Sequence, residues 1–556
     1  MDVSERSTRR RTLDRRAALR LAFGASTASL LAACAPIAPA APTAQPPAKP
    51  AGSTATTTTG ASPVSAAPSA PAAAQPRSGG TLRVGIGADL TTLDAHFVGN
   101  SWFDTTWQAY DRLVALNNKL QPQPQLAESW EVSPDLKKVT FKLRKGVTFH
   151  SGRPFTSDDV KWNILRVRDP KLGVAQLTNM SNWFPSIETP DLSTITLTSE
   201  QPRPALFDFF EYLNIADQTV LTTPEEGKVR IAGTGPFVFQ EWIPGQEIRF
   251  VKNKNYWQSG KPYLDGLTFV PHRDALAMVV QLEGGSIDAA DNPPTAEAAR
   301  LKQGSKFRVV SDPQPGQYFI LAAQVTRPPM DNKLVRQALQ YGVDRKRFVD
   351  TVLGGIGEPG ALPWPSFSPA YDAAKNQRYA FDPAKASTLL KQAGADGAEF
   401  DITYSAASPD AAGLAQIMQA DYTKIGAKTT LRGLEGLAFQ NALNNSDYRG
   451  FIINLGGYAE IDPSSLFTIG RTWNFSINMA QFKSDQYTQL VTAAGSEPDP
   501  TKRKQIFDQL NDLILDEAFV VPVTSAPAKI AARAGVEGIT YNQHQGINFS
   551  DVWLGA

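Results

Sequence analysis

The chain has very few of the residues on which disulfides, metal centres and covalent catalysis depend. Its 556 residues include one cysteine, Cys34, so no disulfide can form within the chain. There are four histidines, and they lie far apart in sequence: His96, His150, His272 and His544. No His-Glu-x-x-His motif occurs, and we therefore expect neither a metal site nor a metal enzyme.

Two glycine-rich segments partly match nucleotide-binding or hydrolase motifs, but each lacks a required residue. Gly85-Ile86-Gly87 would begin a dinucleotide loop, yet Leu90 stands at the third glycine position. Gly284-Gly285-Ser286-Ile287-Asp288 has aspartate where a nucleophile elbow needs glycine. We interpret both as strand and turn glycines, and we expect no cofactor.

Charge and long apolar runs are also scarce. The formal net charge is +1 and the densest basic cluster is only Lys502-Arg503-Lys504, so nucleic-acid binding is not expected. After residue 34 no apolar run is long enough to cross a membrane. With 42% hydrophobic residues, the chain from Gly79 onward can build a large core, and its length favours two or more lobes.

The first 34 residues are typical of an export signal. Arg15-Arg16 precede an apolar run over residues 21–30, which is too short to span a bilayer as a mature helix. Leu31-Ala32-Ala33-Cys34 resembles the lipobox of bacterial lipoproteins, in which the cysteine is diacylated and becomes the new N-terminus. The alternative is a conventional signal peptide that is cut elsewhere, with Cys34 an ordinary apolar residue.

The twin arginines favour the twin-arginine export route, which carries folded proteins. Asp14 stands where serine or threonine is usual, so the general secretory route remains the alternative.

Residues 35–78 are rich in alanine, proline, threonine and serine and contain no aromatic residue. Because such a segment cannot bury enough apolar surface to fold, we predict a disordered tether with an r.m.s. span of about 35–40 Å.

From Gly79 onward the sequence pattern mixes strands and helices. Apolar residues alternate with polar ones over 139–143, which predicts a half-buried strand. Pro244-Gly245 suits the centre of a type II turn and predicts a hairpin over 237–251. Asp331 is expected to cap a helix that begins near residue 334.

Motifs spread from Gly79 to Trp553 are similar to those of one protein family. The most specific block runs from Phe141 to Val160 and contains Lys145-Gly146-Val147-Thr148-Phe149-His150-Ser151-Gly152. The other motifs are Gly79-Gly80-Thr81-Leu82-Arg83-Val84, Leu93-Asp94, Leu126-Ala127-Glu128-Ser129-Trp130, Gly233-Thr234-Gly235-Pro236-Phe237, Asn253-Lys254-Asn255-Tyr256-Trp257, Val335-Arg336-Gln337-Ala338-Leu339, Phe381-Asp382-Pro383-Ala384-Lys385-Ala386 and Asp462-Pro463. In order and spacing they resemble the family 5 solute-binding proteins, which serve bacterial ABC importers of oligopeptides, dipeptides, nickel chelates and some sugars.

The resemblance implies an α/β fold with two lobes, the periplasmic-binding-protein-like clamshell, and an extra subdomain on lobe I (cluster C type). The implied boundaries are 79–117, 205–318 and 524–556 for lobe I, 118–204 for the subdomain and 319–523 for lobe II. Closure of the lobes would bury the ligand. Only a ligand that contacts both lobes can then stabilise the closed state.

In this family the ligand lies between three walls, which the resemblance places on three segments of this chain. The first wall follows Leu-Asp, the second lies in the subdomain, and the third precedes Asp-Pro; a strand predicted after Asp-Pro adds alternating polar residues. The candidate ligand-binding residues are Asn100, Ser101, Trp102, Trp183, Tyr458, Glu460, Asn474, Ser476 and Asn478. The alternative is that the tryptophans are core residues and the polar residues are exposed to solvent.

The third wall departs from the family's peptide binders, which place a Gly-Trp pair and an amine-binding aspartate upstream of Asp-Pro. Counting back without a gap puts Gly456 at the tryptophan position and Ala459 at the aspartate position, so the charge partner is lost. A short deletion instead aligns Tyr458 with the tryptophan and Glu460 with the aspartate. Because a buried ammonium without a counterion is costly, the two alignments predict different ligands.

The resemblance therefore implies a receptor that delivers a small solute, such as an oligopeptide, a dipeptide or a sugar-like molecule, to the permease subunits of an ABC importer. We expect a monomer that is held on the outer face of the cell membrane by diacylated Cys34, on the periplasmic side in a Gram-negative cell. A signalling receptor is one alternative. An exported hydrolase on the same scaffold is another, but no nucleophile and base constellation supports it.

Replacement of Cys34 tests the anchoring. Cys34→Ser should leave the protein folded but release it from the membrane fraction, because serine cannot carry the thioether-linked lipid. The measurement is fractionation of cells followed by immunoblotting. If the variant stayed with the membrane after a high-salt wash, the lipoprotein interpretation would be wrong.

Overall fold

The computed structural model describes residues 75–97, 103–117, 119–312, 317–457, 461–542 and 545–555. They lie in one compact unit, Ala73–Ala556. The predicted signal peptide and all but the last four residues of the predicted tether fall outside the described residues. Among the described residues, no helix combines the length and the apolar character that crossing a bilayer requires.

Twenty strands form the sheets. In chain order they are β1 Thr81–Ile86, β2 Val114–Leu116, β3 Pro122–Pro124, β4 Ala127–Val132, β5 Lys138–Leu143, β6 Ser186–Asp191, β7 Thr194–Thr198, β8 Phe237–Ile243, β9 Glu247–Lys252, β10 Gly266–Pro271, β11 Ala289–Asp291, β12 Phe307–Ser311, β13 Tyr318–Ala323, β14 Glu399–Ser405, β15 Lys428–Leu434, β16 Gly450–Gly456, β17 Val520–Ser525, β18 Lys529–Arg533, β19 Val536–Glu537 and β20 Trp553–Leu554.

Three sheets dominate the fold. The first has seven strands in the order β12-β18-β11-β1-β10-β9-β8, and the second has five in the order β15-β14-β16-β13-β17. A third, antiparallel sheet has the order β4-β5-β7-β6, and two small ribbons pair β2 with β3 and β19 with β20. Parallel pairs such as β1 with β10 and β14 with β15 stand beside antiparallel ones, so both large sheets are mixed.

Helices cover the two large sheets. In chain order they are α1 Ser157–Arg166, α2 Ala175–Ser181, α3 Leu206–Tyr212, α4 Pro224–Gly227, α5 Ala275–Gly284, α6 Thr295–Lys302, α7 Lys333–Tyr341, α8 Arg345–Thr351, α9 Ala373–Asn376, α10 Pro383–Gln392, α11 Pro409–Lys424, α12 Gly436–Asn445, α13 Asp485–Ser496 and α14 Pro500–Glu517, with short 3-10 helices at Thr106–Ala109, Pro170–Leu172, Pro463–Phe467 and Phe549–Asp551.

The five-stranded sheet is buried on both faces. Every residue of β13 is buried, and its side chains alternate between two cores. Ile320 packs in the core that contains Trp473 and Phe519, and Leu321 packs on the opposite face with Phe348. A strand that is apolar along its whole length is typical of the centre of a covered sheet.

Among the described elements, two connections lead between the two large sheets, and hydrogen bonds join described residues of the two. One crossing leads from β12 to β13, and the other leads from β17 to β18. In the seven-stranded sheet β12 pairs with β18, while in the five-stranded sheet β13 pairs with β17. Backbone hydrogen bonds join the crossings, from Ala526 N to Gln317 O and from Asp312 N to Ala528 O, each 2.8 Å long.

The structure confirms most local expectations and corrects one. Strand β5 buries its apolar residues in alternation, and β8 and β9 form the expected hairpin, with Gly245 at a φ of 74° in the turn. The cap of α7 is Asn332, whose side chain accepts from the Leu334 N–H, so the prediction of Asp331 as the cap was wrong. Asn332 immediately precedes Lys333, the first helical residue. Its side chain therefore reaches the N–H of the second helical residue, Leu334.

A nearly fully buried ion pair ties α3 to the ribbon of β2 and β3. Arg112 Nη1 donates to Glu211 Oε1 at 2.6 Å, and Glu211 Oε2 accepts from the Leu116 N–H at 2.6 Å. The Arg112 and Glu211 side chains are 10% and 1% exposed. Removing one partner of such a pair leaves an uncompensated charge in the interior.

Arg112→Met should therefore lower the free energy of unfolding by about 3–5 kcal/mol. The matched control is Lys346→Met, because Lys346 pairs with Asp350 at the surface and such pairs contribute about 1 kcal/mol or less. Urea denaturation of both variants measures the difference. Equal losses in the two variants would show that the Arg112 pair does not stabilise this part of the fold.

Candidate functional site

A cavity of about 270 Å³ lies beside the two crossings, between the seven-stranded and the five-stranded sheet. We call it the hinge cavity. Its apolar lining includes Pro293 and Pro294 before α6, Phe319 on β13 and Leu455 on β16. Both sheets therefore contribute to its wall. Each large sheet with its covering helices is called a layer below, and a molecule bound in the cavity would contact both layers at once.

Two buried ionisable side chains line the hinge cavity. Lys529, at the start of β18, is 9% exposed, and Asp104 is 6% exposed. Burial lowers the pKa of Lys529, although the nearby carboxylates Asp410 and Asp291 act in the opposite direction. Burial, reinforced by the negative charge of Asp291, raises the pKa of Asp104 well above its usual range. The cavity thus combines an ammonium with a carboxyl group that resists ionisation.

A side-chain hydrogen bond between described residues crosses directly from one layer to the other at this cavity. Thr295 Oγ1, on the first residue of α6, donates to Asp410 Oδ2 in the first turn of α11 at 2.8 Å. Helix α6 contacts β12 and β18 of the seven-stranded sheet, and α11 packs on β14 and β15 of the five-stranded sheet. The contact joins the layers without filling the cavity.

A second cavity, of about 370 Å³, lies where α2 meets the segment after β16. We call it the Trp183 cavity. Trp183 is half-buried, and the Arg203 guanidinium lies over its ring at 5.3 Å from the ring centre. Asn474, Ser476 and Ile477 line the opposite side. An aromatic face with amide and hydroxyl groups opposite can bind a partly apolar, partly polar molecule.

Asn474 and Asn478 hold a loop together, and the prediction that they alternate on a strand was wrong. Asn474 Oδ1 accepts from the Ser476 and Ile477 N–H groups, and its Nδ2 donates to Thr468 O. Asn478 bonds to the backbone of Asn474 and Phe482. Short amide side chains favour such local bonds over strand pairing. Ser476 is exposed and lies in the same loop.

The Asp-Pro motif joins a buried acidic cluster. Asp462 pairs with the Arg503 guanidinium through both carboxylate oxygens. Asp208, on α3, accepts from the Asp462 N–H at 3.2 Å and from Ser465 Oγ at 2.5 Å. Burial, and then the charge of Asp462, raises the pKa of Asp208 well above its usual range. The cluster fastens α3 to the start of the 3-10 helix Pro463–Phe467.

The described residues cover only part of the predicted site. Trp183, Asn474 and Ser476 line one cavity together, and Asn478 lies in the same loop. Asn100, Ser101, Trp102, Tyr458 and Glu460 lie outside the described residues. Within the described ranges, no three His, Cys, Asp or Glu side chains are grouped so as to hold a metal ion.

The sequence analysis missed the charged groups of the hinge cavity. Asp104 is close to the predicted wall at residues 100–102, so its position was a usable signal. Lys529 gave no signal, because the charged and polar residues that matter most around it, such as Asn292 and Asp410, come from distant segments of the chain. Asp410 follows a proline in the first turn of α11, a pattern that indicates only a helix start.

Comparisons with known proteins agree on one family. Residues 121–476 match the model described as bacterial extracellular solute-binding proteins, family 5 Middle. Heme-binding protein A of Haemophilus influenzae is 30% identical over 457 residues, which cover 76% of this chain and 83% of that protein.

Solved structures share the fold. The periplasmic binding protein AgaA of A. tumefaciens R10 in complex with agropinic acid is 28% identical, with a TM-score of 0.74 over 86% of this chain and 99% of its own. DppA from Helicobacter pylori in complex with the peptide STSA is 25% identical, with a TM-score of 0.74 over the same 86% and 99%. The fold is therefore the two-lobed α/β fold of the periplasmic binding proteins, as the sequence predicted.

Asp291, next to the hinge cavity, offers a test of the local electrostatics. Burial raises its pKa to about 6, against an ordinary value of 3.8. The folded state therefore favours the protonated form, so the associated stability is full below pH 4 and is lost as the pH rises to about 6. The loss is at most about 3 kcal/mol.

Asp291→Asn should reduce the fall in melting temperature between pH 4 and pH 6.5, since asparagine does not ionise. The measurement is thermal unfolding followed by circular dichroism across that range. Asp331→Asn, at an exposed carboxylate, is the control and should keep the wild-type profile. An unchanged profile in Asp291→Asn would contradict the raised pKa.

Proposed function

Because the chain belongs to the bacterial extracellular solute-binding proteins of family 5, we propose that it captures a small polar solute between its two lobes for an ABC importer. Members of this family bind small ligands outside the cytoplasm and deliver them to ABC permeases. They are transport proteins, and we propose no catalytic activity for this chain. The proposed ligand is peptide-like or another small polar molecule.

The observation that carries the proposal is the position of the hinge cavity. It lies beside the only two crossings that the described chain makes between the two large sheets. A pair of short crossings can absorb the backbone rotations of a hinge, while the sheets move as rigid layers. A ligand between the layers would then favour the closed arrangement in proportion to its contacts with both.

The size of the two cavities supports a small ligand. Small-molecule sites usually measure about 300–1,000 Å³; the hinge cavity, at about 270 Å³, is slightly smaller than that, and the Trp183 cavity, at about 370 Å³, lies near the lower end. Heme-binding protein A is named for a much larger ligand. We therefore propose a ligand closer in size to the peptide or the agropinic acid bound by the two solved relatives.

The backbone at Gly456 supports one of the two alignments of the third wall. A Cβ atom at Gly456 would lie 2.8 Å from Thr472 Oγ1 and 3.4 Å from Ile320 Cδ1. A large aromatic side chain would not fit there without displacing its neighbours. This favours the alignment in which Tyr458 takes the tryptophan position and Glu460 takes the aspartate position, and we propose both as ligand contacts together with Trp183.

We also propose the finer assignments that the N-terminal sequence and the family suggest. The mature protein is a monomer anchored through diacylated Cys34 and exported by the twin-arginine route, and its partners are the permease subunits of the importer. The sheets support the proposed lobe boundaries, since residues 118–204 contain the four-stranded sheet and 319–523 contain all of the five-stranded sheet except the ends of β13 and β17.

Closure around the solute tests this function. Protein lacking residues 1–78 is purified, the small molecule that copurifies is identified by mass spectrometry, and it is removed by unfolding and refolding. Adding it back should reduce the radius of gyration in X-ray scattering and raise the melting temperature by linkage. Trp183→Ala should weaken both responses, because the ring contributes contact area.

A solute that does not change the melting temperature serves as the control and should leave the radius of gyration unchanged. Tight binding of the copurified molecule without any reduction in the radius of gyration would contradict closure. Absence of any small-molecule ligand, in cell extract as well as after purification, would contradict the proposed function itself.

A further inference from the structure

We propose that Lys529 binds a carboxylate of the solute in the hinge cavity, which makes it a determinant of ligand specificity. The inference rests on the proposed function and adds the chemical class of one ligand group. It depends on the Lys529 ammonium, which belongs to a buried residue of the cavity wall and has no hydrogen-bond or ion-pair partner among the described residues.

The Lys529 side chain lines the cavity and is more than nine-tenths buried. The backbone of the residue is fixed at the hinge, since its N–H donates to Asn292 Oδ1 and its carbonyl accepts from the Asn292 N–H. No hydrogen bond or ion pair to Nζ exists in the described part of the chain. An ammonium has three N–H donors, and leaving them unmade away from water is unfavourable.

The acidic residues around Lys529 are occupied with other groups. Asp410 accepts from Thr295, Asp291 accepts from Asn292 Nδ2, and Asp104 accepts from the Ile547 N–H. Asp410 and Asp291 are close enough to support the charge of Lys529, but neither forms an ion pair with it. The charges of these two carboxylates oppose the effect of burial on the pKa of Lys529 and favour its charged form, while no described acceptor takes its donors.

A ligand carboxylate fits these donors better than a neutral oxygen does. Charge-assisted hydrogen bonds from an ammonium to a carboxylate are about twice as strong as neutral ones. Burial favours a protonated Asp104 carboxyl, which can donate a further hydrogen bond to the same oxygens. Phe319, which is buried, and Leu455 give the cavity an apolar wall beside these donors, and an apolar surrounding strengthens a charge-assisted hydrogen bond.

The test uses two probe sets on protein lacking residues 1–78: a set of dipeptides with free carboxylates and the same set as C-terminal amides. Native mass spectrometry should show that the free acids bind at least about 30-fold more tightly than the amides. Lys529→Met should remove that preference, and Lys529→Arg should restore part of it.

A control variant separates this role from a structural one. Lys306→Met, at an exposed lysine, should keep the preference. Equal binding of acids and amides by the wild type, a preference that survives in Lys529→Met, or binding of neither set would overturn the assignment. Closure around the copurified solute would still support the proposed function in each of those cases.

Discussion

Two backbone hydrogen bonds between the paired crossings, from Ala526 to Gln317 and from Asp312 to Ala528, set the geometry on which the rest of the molecule depends. They continue, across the gap between the sheets, the pairing of β12 with β18 and of β13 with β17. These bonds hold the two crossings together between the two large sheets. The hinge cavity lies beside them, with Gln317, Ala526 and Ala528 in its lining.

Buried charged groups lie where the layers meet. Because burying a charge is unfavourable, each of these groups needs a compensating partner. Both carboxylate oxygens of Asp462 pair with the Arg503 guanidinium. The Asp208 carboxyl group accepts from the Asp462 N–H and from the Ser465 hydroxyl. These groups are satisfied by the protein itself and so stabilise one arrangement of α3 against the Asp-Pro segment. Lys529 differs, because its donors have no acceptor in the part of the chain that the structure describes. A carboxylate of the proposed ligand would satisfy them.

The sequence was a good guide to local structure and to the family, and a poor guide to the site. The strand at 139–143 and the hairpin at Gly245 depend on alternation and on turn geometry within a few residues, which a sequence displays directly. Asn474 and Asn478 were misread, because alternating polar residues suit a strand edge and a side-chain-bonded loop equally well. The environment of Lys529 is formed by segments that meet only in the folded chain, and no local pattern encodes that meeting.

The strength of the Thr295 hydrogen bond between the layers bears on how the protein could respond to its ligand. This bond to the Asp410 carboxylate contributes about 1.5–3 kcal/mol, as hydrogen bonds to charged groups do. Shifting a two-state equilibrium from 1:99 to 99:1 takes about 5.5 kcal/mol of differential binding. The Thr295 contact alone is too weak to hold the layers closed, but a buried charge pair with a ligand supplies a large part of that difference. The closed state would then be populated when a suitably charged solute is bound. A transporter partner that recognises the closed state would thereby respond only to loaded protein.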